Sequence, residues 1–165
     1  MKTLPFKFIQ IALLVLLFSF QSNAQISKAE IRATGLTCSM CSNAINKQLK
    51  TLPDVVDVAT DLNTSTFTVT LKDGNTLSPK VFKEKVEKAG FYIGSLVLTT
   101  KAENINQNTY VAVNKIANTK NEVKIQVLDK GYVTQKEFKK LLKLYKNIET
   151  YAVNNEDDFH IKTLN

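Results

Sequence analysis

The stretch that decides the fold is ISKAEIRATGLTCSMCSNAI, residues 26–45. Apolar and polar residues alternate over residues 29–33, which is the period-two pattern of a half-buried strand. After the pair of cysteines the period lengthens, and Ala44, Ile45 and Leu49 fall on one helical face. The stretch therefore predicts a strand that passes through a short loop into a helix.

The same two periods recur over residues 26–98. Val56 and Val58 alternate with Asp57, and a second alternation over residues 67–71 follows a turn. Ser78-Pro79 predicts the start of a second helix, which stops at Gly90 before a last strand over residues 91–98. The order βαββαβ predicts an α+β fold of the ferredoxin-like type, in which two helices cover a four-stranded antiparallel sheet.

Residues 101–108 are polar and show no period, which predicts a linker after a first domain at residues 25–100. Residues 109–165 then predict a small ββαββ module. Its strands are predicted at residues 110–116, 123–128, 148–153 and 159–164, and the first two are expected to form a hairpin. Its helix begins with a capping box of Thr134 and Glu137.

This last predicted helix has two contrasting faces. An apolar stripe is formed by Phe138, Leu141, Leu142 and Tyr145. The opposite face carries Lys136, Lys139, Lys140, Lys143 and Lys146. Such a run of lysines is typical of a solvated face, and an anionic partner or membrane surface is the alternative.

Residues 1–24 have the pattern of a secretory signal peptide. Lys2 and Lys7 precede an apolar core, and Ala24 ends a stretch of small residues suited to cleavage. The core, Phe8–Phe20, is shorter than the about 20 residues that span a bilayer. We therefore expect an exported protein, periplasmic or secreted, with no stable membrane insertion after cleavage.

Composition excludes several classes of protein. With 44% hydrophobic and 22% charged residues, the chain has the composition of a globular protein. Two cysteines and one histidine are too few for a disulfide-dense scaffold or an array of zinc fingers. The formal net charge is +7, of which Lys2 and Lys7 contribute two, and the excess is dispersed, so no nucleic-acid partner is expected.

Cys38 and Cys41 are the candidate metal ligands, because they lie where the first strand passes into the first helix. That loop brings two sulfurs close together, and the positive end of the helix favours negative charge beside Cys41. Structural zinc needs four protein ligands and catalytic zinc usually three, whereas the third candidate ligand, His160, is distant in the sequence and lies in the other predicted module. Soft ions such as Cu(I), Ag(I) and Hg(II) need only two thiolates.

The segment Gly35-Leu36-Thr37-Cys38-Ser39-Met40-Cys41 on a βαββαβ frame resembles the heavy-metal-associated domain family. This family includes copper chaperones, domains of copper-transporting ATPases and an exported mercury-binding protein. The resemblance covers residues 26–98 and implies that Cys38 and Cys41 bind the metal. It also implies that Thr37 favours copper or mercury over zinc, that Leu36 keeps a core contact, and that Phe91 is an apolar neighbour of the site.

We therefore predict an exported, non-enzymatic protein that binds Cu(I) and exchanges it with a donor or acceptor protein. Hg(II) binding is one alternative, and a thiol-disulfide redox function of the same cysteines is another. Met40 is predicted to be a loop or packing residue, and His160 a surface or strand residue. No Ser/His/Asp set was evident from the sequence, and the module at residues 109–165 matches no motif.

Overall fold

The computed structural model describes five segments of the chain. They are residues 26–36, 39–105, 110–115, 122–153 and 158–164. Thr37, Cys38 and the predicted signal peptide lie outside these residues. The predicted division into two domains at residues 101–108 stays a prediction.

The first half contains six elements in the predicted order. They are β1 (Ile26–Thr34), α1 (Ser39–Leu49), β2 (Val55–Asp61), β3 (Thr66–Leu71), α2 (Pro79–Lys88) and β4 (Tyr92–Lys101). The strands are antiparallel in the order β2-β3-β1-β4. This is the ferredoxin-like arrangement that the alternating periods predict.

Both helices bury one stripe on the same face of this sheet. Ile45 and Leu49 of α1, and Phe82 and Val86 of α2, are all fully buried. They pack into one cluster with the inward-facing residues of β1, β3 and β4. Burial of each such side chain stabilises the fold by about 1.5–3 kcal/mol, so this cluster fixes where the loops at its ends can lie.

One inward-facing residue was predicted wrongly. Val58 of β2 is buried, but Val56 is 61% exposed. The pairing of β2 with β3 shifts register between Val55 and Asp57. A bulge of this kind breaks the alternation of faces along a strand, and Val56 therefore lies outside the core.

The second half continues the same sheet. Its elements are α3 (Ala102–Ile105), β5 (Tyr110–Ala112), β6 (Glu122–Val127), α4 (Gln135–Leu144), α5 (Glu149–Val153) and β7 (Phe159–Leu164). Strand β6 pairs antiparallel with β4, and the seven strands have the order β2-β3-β1-β4-β6-β7-β5. Leu98 and Ile125 are partners in this pairing and both are fully buried, so the core crosses from one half into the other.

Two local predictions for this half were wrong. Strand β7 lies between β5 and β6, so these two strands do not form a hairpin, and β5 pairs parallel with β7. The predicted strand at 148–153 is helical from Glu149. Residues 102–105 of the predicted linker form a helical turn in which Ile105 is buried.

The helix α5 replaces the predicted strand because its central aromatic residue has partners on several sides. Tyr151 is 1% exposed, and its hydroxyl donates to the carbonyl oxygen of Leu128 at 2.8 Å. Its ring contacts Phe138, Tyr145 and His160. A short apolar run does not distinguish a strand from a helix by period alone, and here tertiary contacts decide.

Candidate metal centre

The loop that carries the cysteines begins with a backbone conformation suited to glycine. Gly35 has φ +85°, in the left-handed region that other L-residues rarely adopt. Leu36 is partly buried against the core, as predicted. Thr37 and Cys38 lie outside the described residues, and α1 begins immediately after them at Ser39. The chain thus turns sharply out of β1 while Leu36 anchors the turn to the core.

Cys41 lies in the first turn of α1, where the sequence predicted it. It is half-buried. The first turn contains no acidic residue, so no carboxylate there opposes negative charge on the sulfur. The backbone N–H groups of a first turn point outward from the helix end and favour an anionic group such as a metal-bound thiolate.

The helix bearing Cys41 is fixed on its inner side. Ser42 is buried directly after Cys41, although its polarity gave no sign of this in the sequence. One turn later Asn46 donates to the carbonyl oxygen of Val58 at 3.1 Å and to the hydroxyl of Thr60 at 2.9 Å. These contacts hold α1 against β2 and leave the Cys41 side toward the loop.

Phe91 lies beside this loop, as the resemblance implied. A methyl group built on Gly35 would lie 3.9 Å from Cδ1 of Phe91. The Phe91 N–H donates to the carbonyl oxygen of Val86 at 3.1 Å, which ties the aromatic residue to the end of α2. The ring is partly buried against the core. It therefore gives the loop an apolar neighbour that limits access of water.

The turn between β2 and β3 completes this end of the sheet. The Ala33 N–H donates to the carbonyl oxygen of Ser65 at 3.1 Å, so the turn lies beside the end of β1. Within the turn, the hydroxyl of Thr64 donates to Asp61 at 2.8 Å and the Asn63 N–H donates to it at 2.9 Å. These hydrogen bonds, that of Thr64 first, hold the pKa of Asp61 below its usual value.

Two further residues weighed from the sequence lie in unexpected surroundings. Met40 lies within α1 rather than in a loop, and its side chain is 81% exposed rather than packed. His160 lies in strand β7 and is fully buried. Both of its ring nitrogens are engaged, Nδ1 with Asp129 and Nε2 with Thr150, each at 2.8 Å.

The chain Asp129–His160–Thr150 was missed by sequence reasoning. The second Asp129 oxygen also accepts the His160 N–H at 2.7 Å. Burial raises the pKa of Asp129, and the hydrogen bonds from His160 oppose that rise. The order carboxylate, imidazole, hydroxyl occurs in hydrolases, but this imidazole is fully buried beneath Tyr151. We interpret the chain as a structural tie between β7, α5 and the segment after β6.

Within the residues that the structure describes, no three His, Cys, Asp or Glu side chains form a group that could hold a metal ion. Over the same residues, no helix has the length and apolarity needed to cross a membrane.

Comparison with known proteins identifies the first half of the chain. Residues 30–92 match the model of the heavy-metal-associated domain. A copper-exporting P-type ATPase of Staphylococcus haemolyticus is 45% identical over 51 residues, which are 31% of this chain and 6% of the ATPase. The corresponding ATPase of Bacillus subtilis is 36% identical over 73 residues, 44% of this chain and 8% of the ATPase. The chain thus spans less than a tenth of the length of these curated relatives.

A solved structure also matches part of the chain. The yeast copper transporter domain Ccc2a, determined in apo and Cu(I)-loaded states, is 34% identical. The alignment covers 39% of this chain and 86% of that domain, with a TM-score of 0.36. The match to the family model therefore identifies residues 30–92 as a heavy-metal-associated domain.

Proposed function

We propose that the chain is an exported carrier that binds one Cu(I) ion through Cys38 and Cys41 and passes it to the thiols of a partner protein. The observation that carries the proposal is the place of Cys41. It lies in the first turn of α1, directly after the β1–α1 loop of a heavy-metal-associated domain. The relatives named above are copper-exporting ATPases, which supports copper as the metal.

The chemistry of two sulfurs suits transfer of the metal as well as binding. Cu(I) accepts two thiolates, and a soft ion with so few ligands can take a third thiolate before it releases one of the first. Cys41 is half-buried rather than enclosed, and its neighbour Met40 is exposed. A partner thiol could therefore approach from the side of Met40. No catalytic step on the metal is part of this proposal.

The test is a titration of the reduced chain with Cu(I) under anaerobic conditions, in competition with a chromophoric chelator. We expect one equivalent to bind, and we expect C38S/C41S to remove that binding. Met40→Leu is the matched control, since it removes the adjacent exposed sulfur and leaves both thiols. Retention of binding by the double serine variant would exclude the cysteine site.

The same titration distinguishes the metals, and a separate disulfide assay tests the redox alternative. Repeating it with Ag(I) and Hg(II) ranks the soft ions, and a higher affinity for Hg(II) than for Cu(I) in the presence of cellular thiols would favour mercury capture. A model disulfide tests redox function. Turnover of that disulfide that depends on Cys38 and Cys41 would favour an oxidoreductase over a carrier.

Export is the remaining part of the proposal. It is supported by the charged, apolar and small-residue order of residues 1–24. Expression of the full chain in a bacterium, fractionation and N-terminal sequencing test it. We expect the mature protein outside the cytoplasm with Gln25 as its first residue. An uncleaved chain in the cytoplasm would contradict export.

A further inference from the structure

Helix α4 has an apolar stripe that the rest of the described chain does not cover. Phe138, Leu141 and Leu142 are only half-buried, and no residue of α4 is buried. In contrast, two residues of α1, Ile45 and Leu49, and two of α2, Phe82 and Val86, are fully buried. An amphipathic helix gains most of its stability by burying such a stripe, so incomplete burial indicates a surface suited to a partner.

One side of α4 is nevertheless fixed to the body of the protein. Phe138 and Tyr145 contact the ring of the buried Tyr151, with centroid distances of 5.8 and 5.6 Å. At its start, the Thr134 hydroxyl accepts the Glu137 N–H at 3.2 Å, half of the predicted capping box. The helix is therefore held in place while the side bearing Leu142 remains open.

A groove lies between this open side of α4, α2 and the start of β4. Its volume is about 870 Å³. The apolar part of its lining consists of Tyr92, Ile93, Val133, Phe138 and Leu142. Gly131 lies against α2, because a methyl group built on it would be 2.9 Å from Cε of Lys83. The segment after β6 thus closes one side of the groove.

The charged part of the lining is mostly basic. Lys83, Lys130 and Lys139 line the groove together with one acidic residue, Glu87. Nζ of Lys83 lies 5.6 Å from the ring centroid of Tyr132, a cation–π contact that holds this lysine at the groove. Further lysines on α4 are exposed beside the groove. The apolar floor and basic lining together fit a ligand that is both apolar and acidic.

We propose that this groove binds an amphipathic segment of a protein partner, with apolar side chains against Phe138 and Leu142 and acidic side chains toward the three lysines. A second copy of this chain fits poorly, because the chain without Lys2 and Lys7 keeps a net charge of +5 and would bring lysines against lysines. The groove also includes Thr34 and Tyr92, at the β1–β4 end from which the cysteine loop departs. A bound partner would therefore lie beside that loop, although binding does not depend on copper.

The test uses the mature chain and two synthetic helical peptides of about 14 residues, measured by fluorescence anisotropy at low and high salt. One peptide places leucines at i, i+3, i+4 and i+7 with glutamates beside them, and the other has lysines in place of the glutamates. We expect the glutamate peptide to bind more tightly than the lysine peptide, and salt to weaken its binding. Equal binding of both peptides, or no binding of either up to about 1 mM, would overturn the proposal.

Matched variants on α4 locate the site. Lys139 lines the groove and its exposed neighbour Lys140 does not, so we expect K139E to weaken peptide binding about tenfold or more and K140E to change it little. Leu142→Gln should likewise weaken binding, whereas Leu144→Gln should not, because Leu144 is 68% exposed outside the lining. Equal effects within each pair would overturn the assignment to this groove.

Binding to vesicles of phosphatidylglycerol tests whether the ligand is an anionic membrane surface instead. A membrane-binding helix would use all of its exposed lysines, so K139E and K140E would weaken vesicle binding equally. Strong vesicle binding of this kind without selective peptide binding would replace the protein partner by an anionic lipid surface. Selective peptide binding with the expected difference between K139E and K140E supports the proposal.

Discussion

The two halves of the chain share one sheet but complete their packing to different degrees. In the first half, α1 and α2 each bury two large apolar side chains completely against the sheet. In the second half, three strands extend that sheet while α4 buries no residue. Packing in the first half anchors Leu36 to the core and holds the helix that bears Cys41 against the sheet. The incomplete packing of α4 leaves a surface available for recognition.

Within the second half, the strands and the helix α4 have separate roles. Ile125 and Ile161 are fully buried in β6 and β7, so these strands are as much part of the core as β1. The helix that follows β6 adds little to that core. The second half therefore stabilises the sheet with its strands and presents α4 beside Thr34 and Tyr92, at the end of the sheet that precedes Cys41.

The largest expected effect comes from Leu98 and Ile125, the buried pair that joins β4 of the first half to β6 of the second. Ile125→Ala removes a fully buried side chain opposite Leu98 and should lower the free energy of unfolding by about 2–5 kcal/mol. Urea denaturation followed by circular dichroism measures it. Leu142→Ala is the control, and we expect a change below about 1 kcal/mol because Leu142 is half-exposed. Similar losses in both variants would contradict the contrast between β6 and α4.

A smaller effect is expected from the buried tie in the second half. Asp129→Asn replaces one of the two oxygens that face His160 by an NH2 donor, so one of these two hydrogen bonds is lost, which should cost about 1–3 kcal/mol. Hydrogen exchange should show increased opening of β7 and α5, with β1 and β3 little changed. Asp61→Asn is the control variant, because it removes a hydrogen-bonded carboxylate from the exposed turn between β2 and β3. It should leave hydrogen exchange in β7 unchanged. Uniform opening across the whole sheet would show that the tie is not local.

The first half could be predicted from sequence because its signals are local. Alternating residues over 29–33, the Ser78-Pro79 helix start and the stop at Gly90 each depend on neighbours in the chain. The position of Cys41 in a first helical turn follows from the same signals. Val56 was predicted wrongly because a bulge is a property of pairing with β3 and leaves no mark in the alternation.

The second half depended on contacts between distant residues. Strand β7 lies between β5 and β6, and no local pattern specifies that insertion. Residues 149–153 are helical because Tyr151 reaches Leu128 and His160. The groove likewise combines α2 with α4, about 50 positions apart in the chain, so the sequence indicated only the two faces of α4.

Two glycines, one at the start of the cysteine loop and one in the turn after β3, have the same left-handed backbone conformation. Gly35 and Gly74 have φ +85° and +78°, and a methyl group on either would meet no atom closer than 3.9 Å. Alanine at each should therefore cost about 1 kcal/mol from the backbone alone. Gly35→Ala should also weaken Cu(I) binding in the chelator competition, whereas Gly74→Ala should not. Equal Cu(I) affinities would show that the Gly35 turn does not position the cysteines.

The smallest expected effect concerns the acid dependence of the turn beside that loop. The Thr64 hydroxyl and the Asn63 N–H stabilise ionised Asp61, so its pKa in the folded chain lies below its usual value. Because the folded pKa is the lower one, Asp61 contributes stability above its unfolded pKa and loses it as the pH falls through the folded pKa. Asp61→Asn should remove this part of the acid dependence, and Thr64→Val should raise the Asp61 pKa measured by NMR titration. If T64V leaves Asp61 unchanged, the hydroxyl is not what stabilises that carboxylate, and the turn beside the cysteine loop is held by its backbone hydrogen bonds alone.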